Sequence, residues 1–378
     1  KGKTLRKNLG AAKETNVSEC QLCEGICGEI SHFVDLVLTE LEGYEFETFL
    51  IGSKIDEDVL KREEEIFEFA KSEYVESIKN EVNREMGKIL EPKLSKEVNF
   101  ENPTIMAVID TAFDTVHLQI ASLFIYGRYN KYSREIPQTK WFCRICRGKG
   151  CKKCNYTGQM YSTSVEQLVA EKFLKATKGK DESFHGCGRE DIDARMLGTG
   201  RPFVLEIKNP CKRNLDLSKI GAEINKENKD IIKVSELRYS NKDEIVRIKA
   251  AKFRKKYKVK LKCEELIDIE KFIKAVQSLQ NIPIAQYTPS RVAHRRADML
   301  RGRNIYNSSV DSIDGAIATL TLEAESGTYI KELISGDSGR TKPSISELIG
   351  IPCIVTELDV IEIKEGLKNG KTLKRNKE

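Results

Sequence analysis

No run in this 378-residue chain approaches the ~20 consecutive apolar residues that a membrane span needs, so a membrane partner is not expected. No secretory leader is visible. The chain also lacks an initiator Met and reads as trimmed, and the cytoplasm is the expected compartment. Without a leader, eleven cysteines, an odd number, argue for metal binding rather than a disulfide framework. Acids are missing from Arg247 to Lys262, a stretch with nine Lys or Arg. Such a run suits a polyanion partner or a solvated face.

A chain of this length exceeds one compact core, and two or three domains are expected. Hydrophobic residues at 39% and charged residues at 32%, with net charge +6, describe a soluble globular protein. Early in the chain, Ser31–Leu41 reads as a helix and Tyr44–Ile51 as a strand. Glu63–Leu90 reads as an amphipathic helix or helix pair ended by Pro92, with Ile66, Phe69, Ile78, Val82 and Met86 on its core face. Thr104–Asp110 and Thr115–Tyr126 read as two strands. The polar segment from Gly127 to Thr139 is basic and aromatic, which fits either RNA contact or a surface connector.

Seven cysteines are clustered. Cys143, Cys146, Cys151 and Cys154 form two CxxC pairs with glycines in the turns, a closed thiolate set of the structural zinc kind. No His or carboxylate lies inside the motif, which argues against a catalytic metal. Either pair could instead join Cys20 and Cys23. Cys27 is a spare ligand or a buried thiol, and Cys187, Cys211, Cys263 and Cys353 read as buried thiols.

The chain is organised around His185–Lys208. Asp191 and Asp193 stand among Gly186, Gly188, Gly198 and Gly200, so the stretch reads as a shaped loop leading into a strand that starts near Pro202. A loop with acids tied to a strand suits chemistry or an acidic surface. Further on, Leu215–Asn228 suits a helix and Ile231–Tyr239 a strand. In Lys256–Lys262, Tyr257, Val259 and Leu261 share one strand face, so Tyr257 is a core ring or a cleft ring. Ser290–Arg303 is a second basic run, in which His294 reads as a surface residue. Ala316–Glu323 suits a strand, followed by a helix in GTYIKELI.

Three segments, GREDIDARMLGTGRPFVLEI, KKYKVKL and ESGTYIKELISGDSGRTKPSI, resemble pseudouridine synthase motifs, and in particular those of archaeal tRNA pseudouridine synthases of the Pus-ten type. Lys331 replaces the arginine found at this position in the TruB class, which keeps the charge without the bidentate fork. The resemblance implies that Asp191 acts at the uridine glycosidic bond and that Tyr257 stacks on the flipped base. It also implies that Tyr329 packs against the site, that Lys331 pairs with Asp191, and that Arg189 contacts substrate. It further implies tRNA as partner, uridines 54 and/or 55 of the T loop as targets, no cofactor for the chemistry, and no protein partner.

The implied fold is α+β. Residues 1–160 form a THUMP-containing α/β RNA-binding region with the zinc-binding cysteine module. Residues 161–378 form a catalytic domain on a mixed, largely antiparallel sheet. The competing readings are a catalytically silent RNA-binding protein of the same fold, a magnesium nuclease using Glu190, Asp191 and Asp193, and a zinc chaperone suggested by CRICRGKG.

Overall fold

The computed structural model describes residues 20–70, 76–295 and 297–364. Two compact units divide the chain. One comprises residues up to 123 with 174–182 and 207–215, the other 124–173, 183–206 and the chain from 216 onward. The sequence division at 160 therefore falls within the second unit, which also carries the cysteine knuckle.

In the first unit, α1 (Ile30–Leu41) precedes a sheet of β1 (Thr48–Lys54), β2 (Glu97–Val98), β3 (Ile105–Asp110) and β4 (Thr115–Ile120), ordered β2-β1-β3-β4. β1 runs parallel to β2 and β3, and β4 returns antiparallel. Parallel neighbours need a crossover. Here α2 (Glu57–Ala70) and α3 (Ile78–Leu94) lie between β1 and β2 in the chain. Phe33, Val34 and Val37 of α1 pack with Val82, Met86 and Leu90 of α3 against Phe49, Ile105 and Ile109.

Of the two readings for Glu63–Leu90, the pair holds, with residues 71–75 and the side chain of Phe69 outside the described residues. Three other expectations shift in this unit. Ile66 is 45% exposed, so it is not a core residue. Pro92 lies inside α3 rather than ending it, because its missing N–H costs a single bond this close to the C-terminus. The strand expected over Thr115–Tyr126 is two: it breaks after Ile120, and β5 (Leu123–Lys131) belongs to another sheet.

That second sheet has eight strands. They include β6 (Asp181–Gly186), β7 (Ala194–Lys208), β8 (Ile232–Ser240), β9 (Arg254–Cys263), β12 (Ile305–Asp314), β13 (Ile317–Ala324) and β15 (Cys353–Lys364). The order is β12-β13-β9-β15-β7-β5-β8, with β6 on β7. β15 and β7 pair in parallel, whereas β12–β13, β13–β9, β9–β15 and β5–β8 are antiparallel. A small sheet holds β10 (Ile284–Gln286), β11 (Arg301–Arg303) and β14 (Thr341–Lys342). The architecture is α+β on a mixed, largely antiparallel sheet.

β7 begins at Ala194, earlier than Pro202 suggested, and contains Gly198 and Gly200. These two sit at φ 60° and 76°, where a Cβ would lie 2.0 Å from the Ile361 carbonyl and 2.8 Å from that of Tyr129. Glycine lets the strand bend there without breaking, so the true loop shortens to 187–193. β9 alternates as its sequence predicts: Lys255, Tyr257, Val259, Leu261 and Cys263 face inward, and the even-numbered lysines face outward.

Candidate active site

The loop between β6 and β7 is held from beneath by a buried polar frame. Glu190 turns inward, and both it and Arg201 have side chains 1% exposed, in an ion pair of 2.8 Å. The Tyr129 hydroxyl donates to Glu190 at 2.8 Å, and Gln138 Nε2 donates to that hydroxyl at 2.7 Å and to the Gly188 carbonyl at 3.0 Å. Arg201 Nη1 donates to the Cys187 carbonyl at 2.8 Å. Burial, reinforced by the Glu190 charge, holds the Tyr129 hydroxyl far above its ordinary range. Lys131 Nζ donates to the carbonyls of Ile192 (2.6 Å) and Ile136 (3.1 Å).

These contacts revise the reading of Gly127–Thr139. Arg128, Tyr129, Asn130 and Lys131 are buried in β5 rather than displayed for RNA or solvent. Arg128 Nε donates to the Thr199 carbonyl at 2.7 Å. Little in the local sequence marks these polar residues as interior, since most of their partners lie 61–71 residues away and a buried polar group is tolerated only with its partners in place.

With Glu190 turned in, Asp191 faces out into a cleft of ≈500 Å³ lined by Tyr257, Tyr329, Arg291, Lys255 and Val360 among others. Arg291 Nη1 donates to Asp191 Oδ1 at 2.9 Å, while its Nε donates to Glu332 Oε1 at 2.7 Å. Burial works against the Arg291 charge, but Glu332 and Asp191 overcome it and hold the guanidinium above even its usual range. Lys331 Nζ lies 3.7 Å from Asp191 Oδ2. Its hydrogen bonds, at 2.6 and 2.8 Å, go to Asp193 instead. Desolvation raises the Asp193 carboxyl, yet Lys331 brings it below its ordinary value. Lys331 therefore stands near Asp191 but braces Asp193, and Arg291 makes the direct bond to Asp191. Arg291 was missed in the sequence, hidden within a basic run that composition alone assigns to a surface. The side chain of His294, in the same run, lies outside the described residues.

Tyr257 is 7% exposed, so it is both core ring and cleft wall. Burial pushes its hydroxyl up to about 12, with Asp191 adding to the rise. Tyr329 precedes α8, here the short helix Ile330–Ser335, which follows α4 (Val165–Thr177), α5 (Leu217–Glu227), α6 (Lys242–Ala250) and α7 (Ile269–Ser278). Gln286 fixes the Tyr329 backbone, accepting from its N–H and donating to its carbonyl, both at 3.0 Å. Lys255 is 8% exposed, and a Cβ on Gly188 would lie 3.2 Å from its ammonium. Burial, with Arg201 nearby, lowers it to about 8. The guanidinium of Arg189 lies 4.9 Å above the Trp141 ring.

The three acids of the loop each meet a different cation. Glu190 is committed to Arg201, Asp191 to Arg291, and Asp193 to Lys331.

The Sγ atoms of Cys143, Cys146, Cys151 and Cys154 all lie within 4.8 Å of one another. Backbone N–H groups of Gly150 and Gly158 point at Cys146 and Cys154, each at 3.2 Å. Although burial opposes it, such bonds bring the Cys154 thiol down to about 6. Four thiolates in one closed set fit a structural zinc ion and leave no open coordination position. Cys23 is buried in the first unit's core with Cys20 and Cys27 packed beside it. Burial and Cys23 push the Cys27 thiol up to about 12.

Comparison with known proteins points to one family. Residues 124–364 match the family model "Pus10, C-terminal", and residues 33–110 match "Pus10 THUMP domain, archaeal". A Methanothermobacter marburgensis protein named tRNA pseudouridine synthase Pus10 is 45% identical over 351 residues, covering 90% of this chain and 86% of its own. Its namesake from Methanocaldococcus jannaschii is 45% identical over 354 residues, covering 93% and 77%. The one from Archaeoglobus fulgidus is 40% identical over 359 residues, covering 95% and 99%.

Proposed function

The chain belongs to the Pus10 family of tRNA pseudouridine synthases, and on that premise we propose that it isomerises uridine to pseudouridine at position 54, 55 or both of the tRNA T loop. The observation that carries the reading is the Asp191 carboxylate, held at one oxygen by Arg291 at 2.9 Å, facing a cleft walled by the buried ring of Tyr257.

The reaction breaks the N1–C1′ bond, turns the uracil and forms a C5–C1′ bond, while the proton on C5 leaves for N1 or solvent. The product is an isomer, so no oxidant, reductant or cofactor is consumed. The uridine must first leave the helical stack to reach a recessed carboxylate. Asp191 then acts at the glycosidic bond, and it must be ionised to do so. Arg291, with Lys331 at longer range, fixes its orientation. Tyr257 offers its ring face to the detached base while it turns. Tyr329, immobilised by Gln286, closes the cleft, and Arg189 meets the substrate beside it.

The first unit's family match supports a role in gripping tRNA, and the four-sulfur knuckle supports zinc as a structural ion. No helix among the described residues is long and apolar enough to cross a membrane. The cytoplasm is the compartment proposed.

The experiment is pseudouridine formation on unmodified tRNA transcript in EDTA without magnesium, comparing wild type with Asp191→Asn. Product from wild type and at least a ~1,000-fold slower rate from the variant are expected, as for loss of a group acting in the transition state. No product from either protein, with tRNA still bound, would leave a silent RNA-binding protein of the same fold.

A further inference from the structure

Trp141 is the chain's only tryptophan, and the isomerisation chemistry leaves it without a task. The knuckle fixes its position. Met160 N–H donates to the Trp141 carbonyl at 2.9 Å, Phe142 bridges Gln159, and Cys143 N–H donates to the Gly158 carbonyl at 2.8 Å. The half-buried ring meets Tyr161 edge-on, with centroids 5.7 Å apart and planes at 83°. The Arg189 guanidinium also lies over this ring, 4.9 Å from its centroid.

Trp141, Tyr161 and Arg189 line a cleft of ≈260 Å³ whose walls also include Asp191, Arg291 and Lys331. Those last three residues and Arg189 also line the larger cleft in front of Tyr257. The two cavities therefore meet at Asp191. The larger accommodates the uracil that is isomerised, and the smaller presents two aromatic rings and a guanidinium plane beside it.

Flipping a base strips its neighbour of a stacking partner, at a cost of a few kcal/mol. Aromatic and guanidinium faces replace that stacking for any base, since every base has a π face. We propose that the Trp141–Tyr161–Arg189 cleft is a second base subsite, which stacks the single-stranded nucleotide adjoining the target uridine. The inference rests on the synthase reading above and names a further substrate contact within it. It also gives the cysteine knuckle a purpose, because the hairpin that gathers the four sulfurs is the one that sets Trp141 in place.

Because Trp141 is the only tryptophan, its fluorescence reports this subsite directly. The probe is an unmodified T-arm RNA hairpin, with two further versions lacking the base on either side of the converted uridine. Binding is followed independently by the polarisation of a dye on the hairpin's stem end. The intact hairpin is expected to quench Trp141, and one of the two abasic hairpins to quench it less than half as much. Trp141→Ala should raise KM about tenfold, the scale of one lost base–aromatic stack, and change kcat less, with Trp141→Phe recovering most of the loss. Bound and converted hairpin that leaves the emission unchanged, or equal quenching by all three RNAs, overturns the subsite and leaves the synthase reading standing. RNA that neither binds nor is converted overturns both.

Discussion

Asp191 and Arg291 lie a hundred positions apart in the chain, and a 2.9 Å bond joins them. The same guanidinium reaches Glu332 at 2.7 Å, so the carboxylate in the cleft is oriented by a cation that is itself clamped from behind. Lys331, the motif cation adjacent to Glu332, spends its short bonds on Asp193.

That geometry ranks the two cations. Arg291→Ala is expected to lower the single-turnover rate by about 10²–10³-fold, the usual cost of removing a preorganised group beside the reacting centre, while tRNA affinity changes little. Lys331→Ala should cost less, because Asp193 is its main partner. Arg291→Ala also strands Glu332, which is 5% exposed. Adding Glu332→Gln should therefore recover thermal stability and leave the rate low. If Lys331→Ala proves the more damaging variant, the ranking is wrong.

A second expectation concerns the frame under the loop. Removing one partner of a buried ion pair costs about 3–5 kcal/mol, because the other charge remains buried and uncompensated. Glu190→Gln leaves Arg201 in that position, and urea unfolding of the second unit should show a loss of this size. Glu190→Gln combined with Arg201→Met should regain a good part of it. An unchanged midpoint in the single variant would mean that the pair contributes nothing.

What the sequence disclosed follows the range of its signals. Period-two alternation put Tyr257 on the inward face of β9, and the same count places Lys255 there, although a lysine draws no notice in a basic run. The acidic loop and the tyrosine before α8 stand in short local motifs, and the structure gathers Asp191, Tyr257, Tyr329 and Lys331 around one cleft. Arg291 could not be separated from its basic neighbours, because only the fold brings it to Asp191. Composition misdirected the reading of Arg128–Lys131, which look like surface until β7 and the acidic loop supply their hydrogen-bond partners. Gly198 and Gly200 suggested a loop, whereas their positive φ serves a bent strand pressed against its neighbours.

For the knuckle, metal analysis of the purified protein should find about one zinc per chain, as expected of a closed tetrathiolate set. Cys146→Ser and Cys154→Ser should each lose it. Cys20→Ser and Cys23→Ser should retain it, since four sulfurs already converge within residues 143–154. Loss of zinc from the Cys20 variant would instead make that cysteine part of the ligand set. Chelation should weaken RNA binding more than it slows the chemical step, because the knuckle positions Trp141 and does not touch the cleft carboxylate.

Lys255 gives a pH dependence of definite sign. Its folded value, about 8, lies below the ordinary 10.5, because burial and Arg201 disfavour its charge. Between those two values the unfolded chain binds more protons than the folded one, so this residue makes stability rise with pH. Below about pH 8 the folded protein holds a buried ammonium, at a cost of at most about 3 kcal/mol. Lys131, also lowered to about 8 by burial, acts in the same direction but donates to carbonyls that repay part of the cost. Lys255→Met should therefore be more stable than wild type at pH 7, and the difference should fade as the pH is raised to 10.5. The same variant should turn over more slowly, since a cation kept at such a cost beside Asp191 and Tyr257 is placed to meet the substrate's negative charge. Urea unfolding at pH 7, 9 and 10.5 measures the first effect and single-turnover rates the second. A stability difference that stays constant with pH would show that the Lys255 charge is not what the fold resists, and an unchanged rate would show that the cleft does not use it.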